Sequence, residues 1–256
     1  MIRISANLGF LFTDSPLPDA IRRAGETGFA AVECHWPYQY DPDAIIEALT
    51  ETGLPMIGLN TVRGDVAAGD MGLSALPERR HEARAAIDQA IDYADRIGCR
   101  NVHVMAGRAQ GPEARAAFVE NLRYAADRAA EHEVGILVEP LNQRDAPGYL
   151  VPDIKTALAL VEEADRPSVK VMYDCYHMQI MGGDLLHTVR NTLSRIGHIQ
   201  FASVPDRAEP DQGEVNYEWL LPAIAALGYE GYFGAEYKPV TGSFRWLDAL
   251  LKPDGG

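Results

Sequence analysis

Four apolar runs in this sequence each end in a side chain that carries oxygen. The runs 134–138, 171–173, 196–199 and 232–235 are followed by Glu139, Asp174, Gln200 and Glu236. Parallel β-strands that close into a barrel bring their carboxyl ends to one mouth. Three carboxylates and one amide oxygen gathered there would suit a hard divalent cation, so these four residues are the predicted metal ligands.

The chemistry of this donor set favours particular ions and reactions. Because the set contains neither Cys nor His, it favours Mg²⁺ or Mn²⁺ over Zn²⁺. An ion held by oxygen donors keeps open positions for a substrate's neighbouring carbonyl and hydroxyl groups, and it stabilises an enediolate as a proton leaves carbon. Glu139 and Glu236 fall on predicted strands five and eight, roughly opposite one another, where they could flank a bound carbon chain.

The elements that must position these residues alternate between short β-rich runs and longer segments with helical periodicity. The predicted strands are 3–7, 30–34, 55–59, 101–105, 134–139, 169–173, 198–202 and 231–236. The predicted helices are 17–27, 43–52, 77–97, 112–131, 153–163, 184–194, 217–226 and 244–251. Pro77 and Pro112 stand at early helical positions, and Gly28 and Gly98 follow helical runs, as helix starts and stops require.

This alternation predicts an α/β fold with parallel strands, and eight such units close into a (β/α)8 TIM barrel. The length of 256 residues and the apolar content of 47% suffice for one large core, so a single domain over 1–256 is expected. An open doubly wound sheet is the competing architecture. The sequence has no Gly-rich phosphate loop after a strand, which argues against nucleotide binding.

Composition restricts the partners. A formal net charge of -14 without a basic stripe predicts no nucleic-acid partner and no attraction to a membrane surface, so a small molecule is the expected partner. Cys34, Cys99 and Cys175 form no CxxC arrangement and imply neither a disulfide framework nor a structural zinc site. With no basic leader and no membrane-length apolar run, the expected location is cytoplasmic. The sequence leaves the oligomeric state open and allows a homo-oligomer.

Several segments make the sequence similar to a known family. They are Val-Glu-Pro-Leu-Asn-Gln-Arg-Asp-Ala-Pro-Gly-Tyr at 138–149, Tyr-Asp-Cys-Tyr-His at 173–177, Ile-Gln-Phe-Ala-Ser-Val-Pro-Asp-Arg at 199–207, Gly-Glu-Val-Asn-Tyr at 213–217 and Glu-Tyr-Lys-Pro at 236–239. These segments resemble the hydroxypyruvate isomerase family of the xylose isomerase-like barrels, which also include ketose 3-epimerases. The likeness runs through the whole chain, including 60–72.

The resemblance implies a reaction and residue roles. The reaction is aldose-ketose isomerisation, hydroxypyruvate to tartronate semialdehyde, within carbohydrate and glyoxylate metabolism. The resemblance also implies that Glu139 and Glu236 are the acid-base pair and that they bind the metal together with Asp174 and Gln200. His177, on the turn that leaves strand six, and Arg207 are the implied substrate-binding residues.

Besides His177 and Arg207, Lys238 and Asn7 are candidates for substrate binding on physical grounds. In a pocket crowded with carboxylates, Arg207 would supply the positive charge that an anionic substrate needs, and Lys238 is a second candidate for that role. Asn7 stands at the end of the first strand and could line the mouth. His35 and His103 also stand near strand ends but are not predicted to bind metal.

Other functions remain open at this stage. The nearer alternatives use the same metal site: a 2-oxo-tetronate isomerase acting on a four-carbon acid, or a 3-epimerase acting on a neutral ketose. The more distant alternatives are a sugar-binding protein without catalysis and a metal-dependent DNA-repair protein. DNA repair would require more histidine ligands and a basic groove, which the acidic composition disfavours.

Overall fold

The structure, a computed structural model, describes residues 2–251 and contains a barrel of eight parallel strands. The strands are β1 Ile4–Asn7, β2 Ala31–Glu33, β3 Leu59–Asn60, β4 Asn101–His103, β5 Gly135–Val138, β6 Val169–Asp174, β7 Ile196–Phe201 and β8 Phe233–Ala235. Their hydrogen-bonded order is β2-β1-β8-β7-β6-β5-β4-β3. Met1 and residues 252–256 of the predicted 1–256 domain lie outside the described residues.

The gap between β2 and β3 is closed by the backbone just before β3. Val32 forms a parallel bridge with Met56, its N–H donates to the carbonyl of Pro55, and its carbonyl accepts from Ile57. The predicted strand 55–59 thus covers this bridge to β2, whereas the strand that pairs with β4 is Leu59–Asn60 and extends one residue further. The predicted (β/α)8 barrel is confirmed, and the open doubly wound sheet is wrong.

Helices surround the strands. They are α1 Leu17–Thr27, α2 Pro42–Thr52, α3 Arg80–Ile97, α4 Gly111–Ala129, α5 Ile154–Ala164, α6 Cys175–Met181, α7 Leu185–Thr192, α8 Tyr217–Ala226 and α9 Arg245–Leu251. Gly28 and Gly98 end α1 and α3 in the left-handed conformation, with φ of 97° and 67°, which a residue without Cβ adopts at little cost. No helix in residues 2–251 has the length and apolar content needed to cross a lipid bilayer.

Helix α6 is an addition to the predicted elements, because the sequence interpretation placed His177 on a turn after strand six. Asp174 is the last residue of β6 and also the N-cap of α6, where its Oδ1 accepts a hydrogen bond of 2.9 Å from the N–H of Tyr176. The chain therefore turns directly from strand to helix. This turn places His177 in the first helical turn, close to the carboxylate that caps it.

The apolar core lies mainly between strands and helices, whereas the inside of the barrel is unusually polar. Outward residues such as Ile136 and Val138 are fully buried against the helices. The interior is lined by Leu137 and Met172 among polar side chains. Those polar side chains are Asn7, Glu33, Asn60, His103, His198 and Gln200. Hydrogen bonds link Asn7, Glu33, His198 and Gln200, whereas the ring nitrogens of His103 have no hydrogen-bond partner among residues 2–251.

Candidate active site

The register of the sheet brings the predicted ligand positions to one end of the barrel. Asp174 pairs with Gln200 across β6 and β7, and Gln200 pairs with Gly234 across β7 and β8, two residues before Glu236. The four side chains are nearly inaccessible, with Glu139 at 7%, Asp174 at 0%, Gln200 at 3% and Glu236 at 6% exposure. Buried carboxylates at this density require compensating positive charge.

Arg207 supplies one such charge. Its Nη2 donates to Asp174 Oδ2 at 3.2 Å and to Glu236 Oε2 at 2.5 Å, so one nitrogen joins two of the predicted ligands. The guanidinium lies between two aromatic rings, 5.0 Å from the ring centre of Phe10 and 4.9 Å from that of Tyr176. The Arg207 Nε is buried and has no hydrogen-bond partner among the described residues. A donor is therefore available for a ligand inside the cluster.

Glu236 is the most completely hydrogen-bonded carboxylate of the cluster. Besides Arg207 at Oε2, its Oε1 contacts Asn7 Nδ2 at 3.0 Å and His35 Nε2 at 2.8 Å. Burial alone would raise the pKa of Glu236, but Arg207 and the hydrogen bond with His35 lower it to about 2. Glu236 is therefore ionised at neutral pH.

Glu139, on the opposite side, has weaker contacts. Two histidine nitrogens lie near its carboxylate, His103 Nδ1 at 3.4 Å and His177 Nε2 at 3.8 Å, and both distances exceed ordinary hydrogen-bond length. Burial, followed by repulsion from Glu236 and Asp174, raises the pKa of Glu139 well above its usual value. Burial likewise raises the pKa of Asp174 to about 7, although Arg207 opposes that shift. The raised pKa values indicate negative charge that Arg207 does not fully compensate.

Gln200 provides a direct test of whether this cluster suits a cation. Its Nε2 donates to Glu33 Oε1 at 3.2 Å, which turns the amide oxygen the other way. That oxygen, Oε1, is buried and has no hydrogen-bond partner in residues 2–251. Gln200 pairs with Asp174 in the register of the sheet, and an unpaired buried acceptor at that position suits a divalent cation, because the ion would take the lone pair.

His177 also lies close to the carboxylates. Glu139, Asp174 and His177 each offer an atom within 4.8 Å of the others, which is compatible with a Glu-Asp-His metal site. However, His177 Nδ1 accepts a hydrogen bond of 3.1 Å from the backbone N–H of Asn142. In a neutral imidazole the other nitrogen, Nε2, must then carry the proton. Burial, reinforced by Arg207, lowers the pKa of His177 to about 3, so the ring is neutral and serves as a hydrogen-bond donor.

The other residues predicted to bind substrate have different positions. Asn7 is buried, and its amide links Glu236 to Glu33, with Nδ2 distances of 3.0 and 3.3 Å. Lys238 is exposed, and only its backbone contacts the cluster region, through a 2.7 Å hydrogen bond to the carbonyl of Arg207. The structure thus brings Asn7, His177 and Arg207 together with the carboxylates but does not bring the Lys238 side chain there.

The sequence interpretation missed two acidic side chains and left one histidine without a role. Glu33 and Glu209 are 3% and 2% exposed and accept several hydrogen bonds each. His35, not predicted to bind metal, is a partner of Glu236. A signal for Glu33 was available, since a carboxylate within an apolar strand is rarely buried without a specific partner.

Glu209 joins the loop that carries Arg207 to the loop that follows β8. Its carboxylate accepts hydrogen bonds from the backbone N–H groups of Val240, Thr241 and Gly242 and from the Thr241 hydroxyl, at 2.7 to 3.2 Å. Arg207 adopts φ of 54°, a left-handed conformation that is costly for a residue with a Cβ. Glu209 therefore anchors the backbone of a segment that holds Arg207 in an unfavourable conformation.

Comparison with known proteins identifies the family of this barrel. A family model described as a xylose isomerase-like TIM barrel matches residues 21–250. The chain is 42% identical over 243 residues to 2-oxo-tetronate isomerase of Pectobacterium atrosepticum, covering 93% of each protein. It is 36% identical to hydroxypyruvate isomerase of Escherichia coli, covering 97% of this chain and 99% of that protein.

A solved structure matches the fold as well. The crystal structure of a protein named AP endonuclease, family 2, from Brucella melitensis superposes with a TM-score of 0.94 at 40% identity, over 99% of this chain and 100% of that one. The chain therefore belongs to the xylose isomerase-like TIM barrel family, among relatives that are named hydroxypyruvate isomerase and 2-oxo-tetronate isomerase.

Proposed function

We propose that the protein is an isomerase that converts hydroxypyruvate to tartronate semialdehyde. The observation that carries the proposal is the cluster of three buried carboxylates, Glu139, Asp174 and Glu236, bridged in part by Arg207. Relatives named for isomerases of small oxo acids support the same reaction class. A small hydroxy-oxo acid fits a site that combines carboxylates for proton transfer with one buried guanidinium.

The residues that would hold a divalent ion are Glu139, Asp174, Gln200 and Glu236, and the unpaired Gln200 Oε1 supports that assignment. The donors are all oxygen, which favours Mg²⁺ or Mn²⁺. When bound, the ion would act as a Lewis acid that stabilises negative charge developing on the substrate oxygens.

The two glutamates carry the proton transfer in this proposal. One carboxylate takes a proton from C3 of hydroxypyruvate, which leaves an enediolate shared between C2 and C3. A proton then returns to C2, while the C3 hydroxyl loses its proton and the C2 oxygen gains one, so the product is an isomer with no net oxidation. Positioned acid-base groups of this kind contribute about 10²- to 10⁴-fold to a rate.

Two donors hold the substrate in the proposed arrangement. His177 Nε2 carries a hydrogen and lies 3.6 Å from Asp174 Oδ2, so it faces the space between the carboxylates and can donate to an enediolate oxygen. Arg207 Nε is an unused buried donor that can bind the substrate carboxylate. Asn7 orients Glu236, and Lys238 stays a candidate at the exposed margin of the site.

The carboxylates and Arg207 of the cluster fit some alternative functions better than others. A 2-oxo-tetronate isomerase or a ketose 3-epimerase could use the same carboxylate pair, and the acid substrates are favoured because Arg207 offers a positive charge. DNA repair is disfavoured by the net charge of -14, although the similar Brucella melitensis protein is named an AP endonuclease. A sugar-binding role without catalysis is disfavoured because the similar proteins of Pectobacterium atrosepticum and Escherichia coli are named as isomerases. A cytoplasmic location and a homo-oligomer stay predictions.

The test is a substrate panel with metal-depleted protein. Hydroxypyruvate, 2-oxo-tetronate and free ketoses are each assayed after chelation, with and without added Mg²⁺ or Mn²⁺. We expect metal-dependent turnover with the highest kcat/KM on hydroxypyruvate. Turnover of 2-oxo-tetronate or of a ketose in preference would transfer the assignment to the corresponding alternative. Glu139→Gln and Glu236→Gln should each abolish turnover in a folded protein, and near-normal activity of either would remove the acid-base assignment.

A further inference from the structure

We propose that Glu33 is a positioning residue that fixes the amide of Gln200 so that its oxygen faces the carboxylate cluster. The inference rests on the proposed metal site and deepens it. Glu33 ends β2, is 3% exposed and lies beneath the cluster inside the barrel. It is neither among the proposed ligands nor in contact with the proposed substrate position.

Glu33 is the acceptor in the hydrogen bonds that surround it. Its Oε1 accepts from Gln200 Nε2 at 3.2 Å and from Asn7 Nδ2 at 3.3 Å, and its Oε2 contacts His198 Nε2 at 2.6 Å. A carboxylate oxygen accepts hydrogen bonds, so the nitrogen end of each neighbouring amide must face it. For Gln200 this requirement removes the ambiguity of the amide, because only Nε2 can face Glu33.

The opposite end of the same amide has the state that this orientation implies. Gln200 Oε1 is buried and has no hydrogen-bond partner in residues 2–251, which is a costly state for an acceptor. If the amide were inverted, the oxygen would face the Glu33 carboxylate and the NH₂ group would face the carboxylate cluster. Glu33 therefore imposes the orientation that leaves an acceptor free at the site.

The neighbouring strand is shaped to accommodate this arrangement. Gly234 lies opposite Gln200 on β8, and a Cβ there would overlap Glu33 Oε1 and would lie 2.9 Å from both Gln200 Cγ and His198 Nε2. Any larger residue would displace the three side chains. The absence of a side chain at Gly234 thus permits the contact between Glu33 and Gln200.

The same carboxylate also reaches the other side of the cluster. Asn7 divides its two amide hydrogens between Glu33 Oε1 and Glu236 Oε1, and its own oxygen accepts from the backbone of Gly9 at 2.9 Å. Glu33 therefore orients two amides, of which Gln200 carries the proposed ligand atom. Residues that orient ligands in this way typically affect metal affinity by about 10- to 100-fold.

The experiment measures Mn²⁺ affinity, which requires no substrate. Metal-free protein is titrated with Mn²⁺, and free Mn²⁺ is followed by electron paramagnetic resonance. In Glu33→Gln, an isosteric change, the new NH₂ group lets Gln200 bond through either end, so we expect Kd to rise about 10- to 100-fold. Glu33→Asp keeps acceptor-only chemistry with a shorter reach, and its Kd should lie between the two. An unchanged Kd in Glu33→Gln would overturn the proposal.

A double-mutant cycle distinguishes positioning from a general structural effect. In a Gln200→Ala background the ligand oxygen is gone, so adding Glu33→Gln should raise Kd by less than about threefold. An equal loss in both backgrounds would show that Glu33 does not act through Gln200 and would overturn the proposal. If unsubstituted protein fails to bind Mn²⁺, the metal site of the proposed function is wrong, and this inference fails with it.

A measurement on the unsubstituted protein removes any dependence on how the variants fold. In a crystal structure with Mn²⁺ bound, we expect Gln200 Oε1 in the coordination sphere and Gln200 Nε2 on Glu33. A Gln200 amide outside the coordination sphere, or one turned with its oxygen toward Glu33, would overturn the positioning role while leaving the proposed isomerisation intact.

Discussion

His177 Nδ1 accepts two hydrogen bonds from Asn142, at 3.1 Å from the backbone N–H and at 2.7 Å from Nδ2. The Asn142 amide orientation is itself fixed, because its Oδ1 accepts from the backbone N–H groups of Arg144 and Asp145. Asn142 therefore sets the tautomer of His177 and directs the Nε2 hydrogen toward Glu139 and Asp174. The proximity of His177 to Glu139 and Asp174 in space therefore does not by itself make His177 a metal ligand.

This tautomer predicts that His177→Ala separates catalysis from metal binding. We expect kcat/KM for hydroxypyruvate to fall about 10- to 100-fold, as loss of a hydrogen bond to a charged intermediate implies. The Kd for Mn²⁺ should change by less than about threefold, because a protonated Nε2 cannot bind the ion. Steady-state kinetics and Mn²⁺ titration measure the two quantities.

Asp174→Asn is the matched control for that experiment, because Asp174 is a proposed ligand next to the same ring. It should weaken Mn²⁺ binding strongly. An equally large loss of Mn²⁺ affinity in His177→Ala would assign the histidine to the metal and contradict the tautomer argument.

Arg207→Ala should raise KM for anionic substrates more than it lowers kcat. The guanidinium has a free buried Nε and is held by Asp174 and Glu236, so it is placed to bind a substrate carboxylate. A charge-assisted hydrogen bond of this kind is worth about 1.5 to 3 kcal/mol, or roughly 10- to 150-fold in KM. Neutral ketoses should show no comparable change if they are turned over at all.

Arg190→Ala serves as the control, since Arg190 is exposed on the outer helix α7 and its replacement also removes one positive charge. Arg207→Lys should leave the KM for anionic substrates nearly as high as Arg207→Ala does, because an ammonium group cannot reproduce the planar donors of a guanidinium. Equal loss with anionic and neutral substrates would contradict a role in binding the carboxylate.

The barrel could be predicted from sequence because its signals are local and repeated. Each βα unit carries its own apolar run, and some helices end at a glycine, as at Gly28 and Gly98. Eight repetitions of one unit are compatible with few strand topologies. The strand-end rule likewise selected Glu139, Asp174, Gln200 and Glu236, which the structure brings to one end of the barrel. Their roles stay a prediction, as does the cytoplasmic location.

Partners that depend on distant contacts could not be predicted in the same way. Glu33 contacts His198, 165 residues away, and Glu209 contacts Thr241, 32 residues away, and neither pair shares a sequence pattern. Helix α6 was missed because Val171 to His177 is β-rich by composition, whereas the chain turns at Asp174 through a side-chain cap. Tertiary hydrogen bonds decided each of these features.

Glu209→Gln should destabilise the fold in a pH-dependent way. Burial alone would raise the pKa of Glu209, but the N–H groups of Thr241 and Val240 lower it below its usual value. A carboxyl group with a lowered folded-state pKa stabilises the protein above its unfolded pKa, about 4.3, and this contribution is lost as pH falls through the folded pKa. We expect a loss of about 1.5 to 3 kcal/mol in the free energy of unfolding at pH 7.

Urea denaturation at pH 7 and at about pH 3.5 measures that difference, which should shrink at the lower pH. Glu26→Gln is the control, because Glu26 is exposed on α1 and should change stability by less than about 0.5 kcal/mol. A penalty for Glu209→Gln that is the same at both pH values would mean that hydrogen bonding to the ionised carboxylate is not its source.

Metal binding should stabilise the fold in proportion to its affinity. In the folded state three buried carboxylates lie close together with one arginine, so a divalent ion would reduce the repulsion between them. The unfolded chain does not bring these carboxylates together. An ion at about 100 times its Kd adds roughly 2.7 kcal/mol, which for a chain of this size raises Tm by about 5 to 11 °C. Thermal unfolding of chelator-treated protein with and without Mn²⁺ measures the shift. Asp174→Asn should reduce the shift, whereas an identical shift in that variant would locate the ion elsewhere in the molecule.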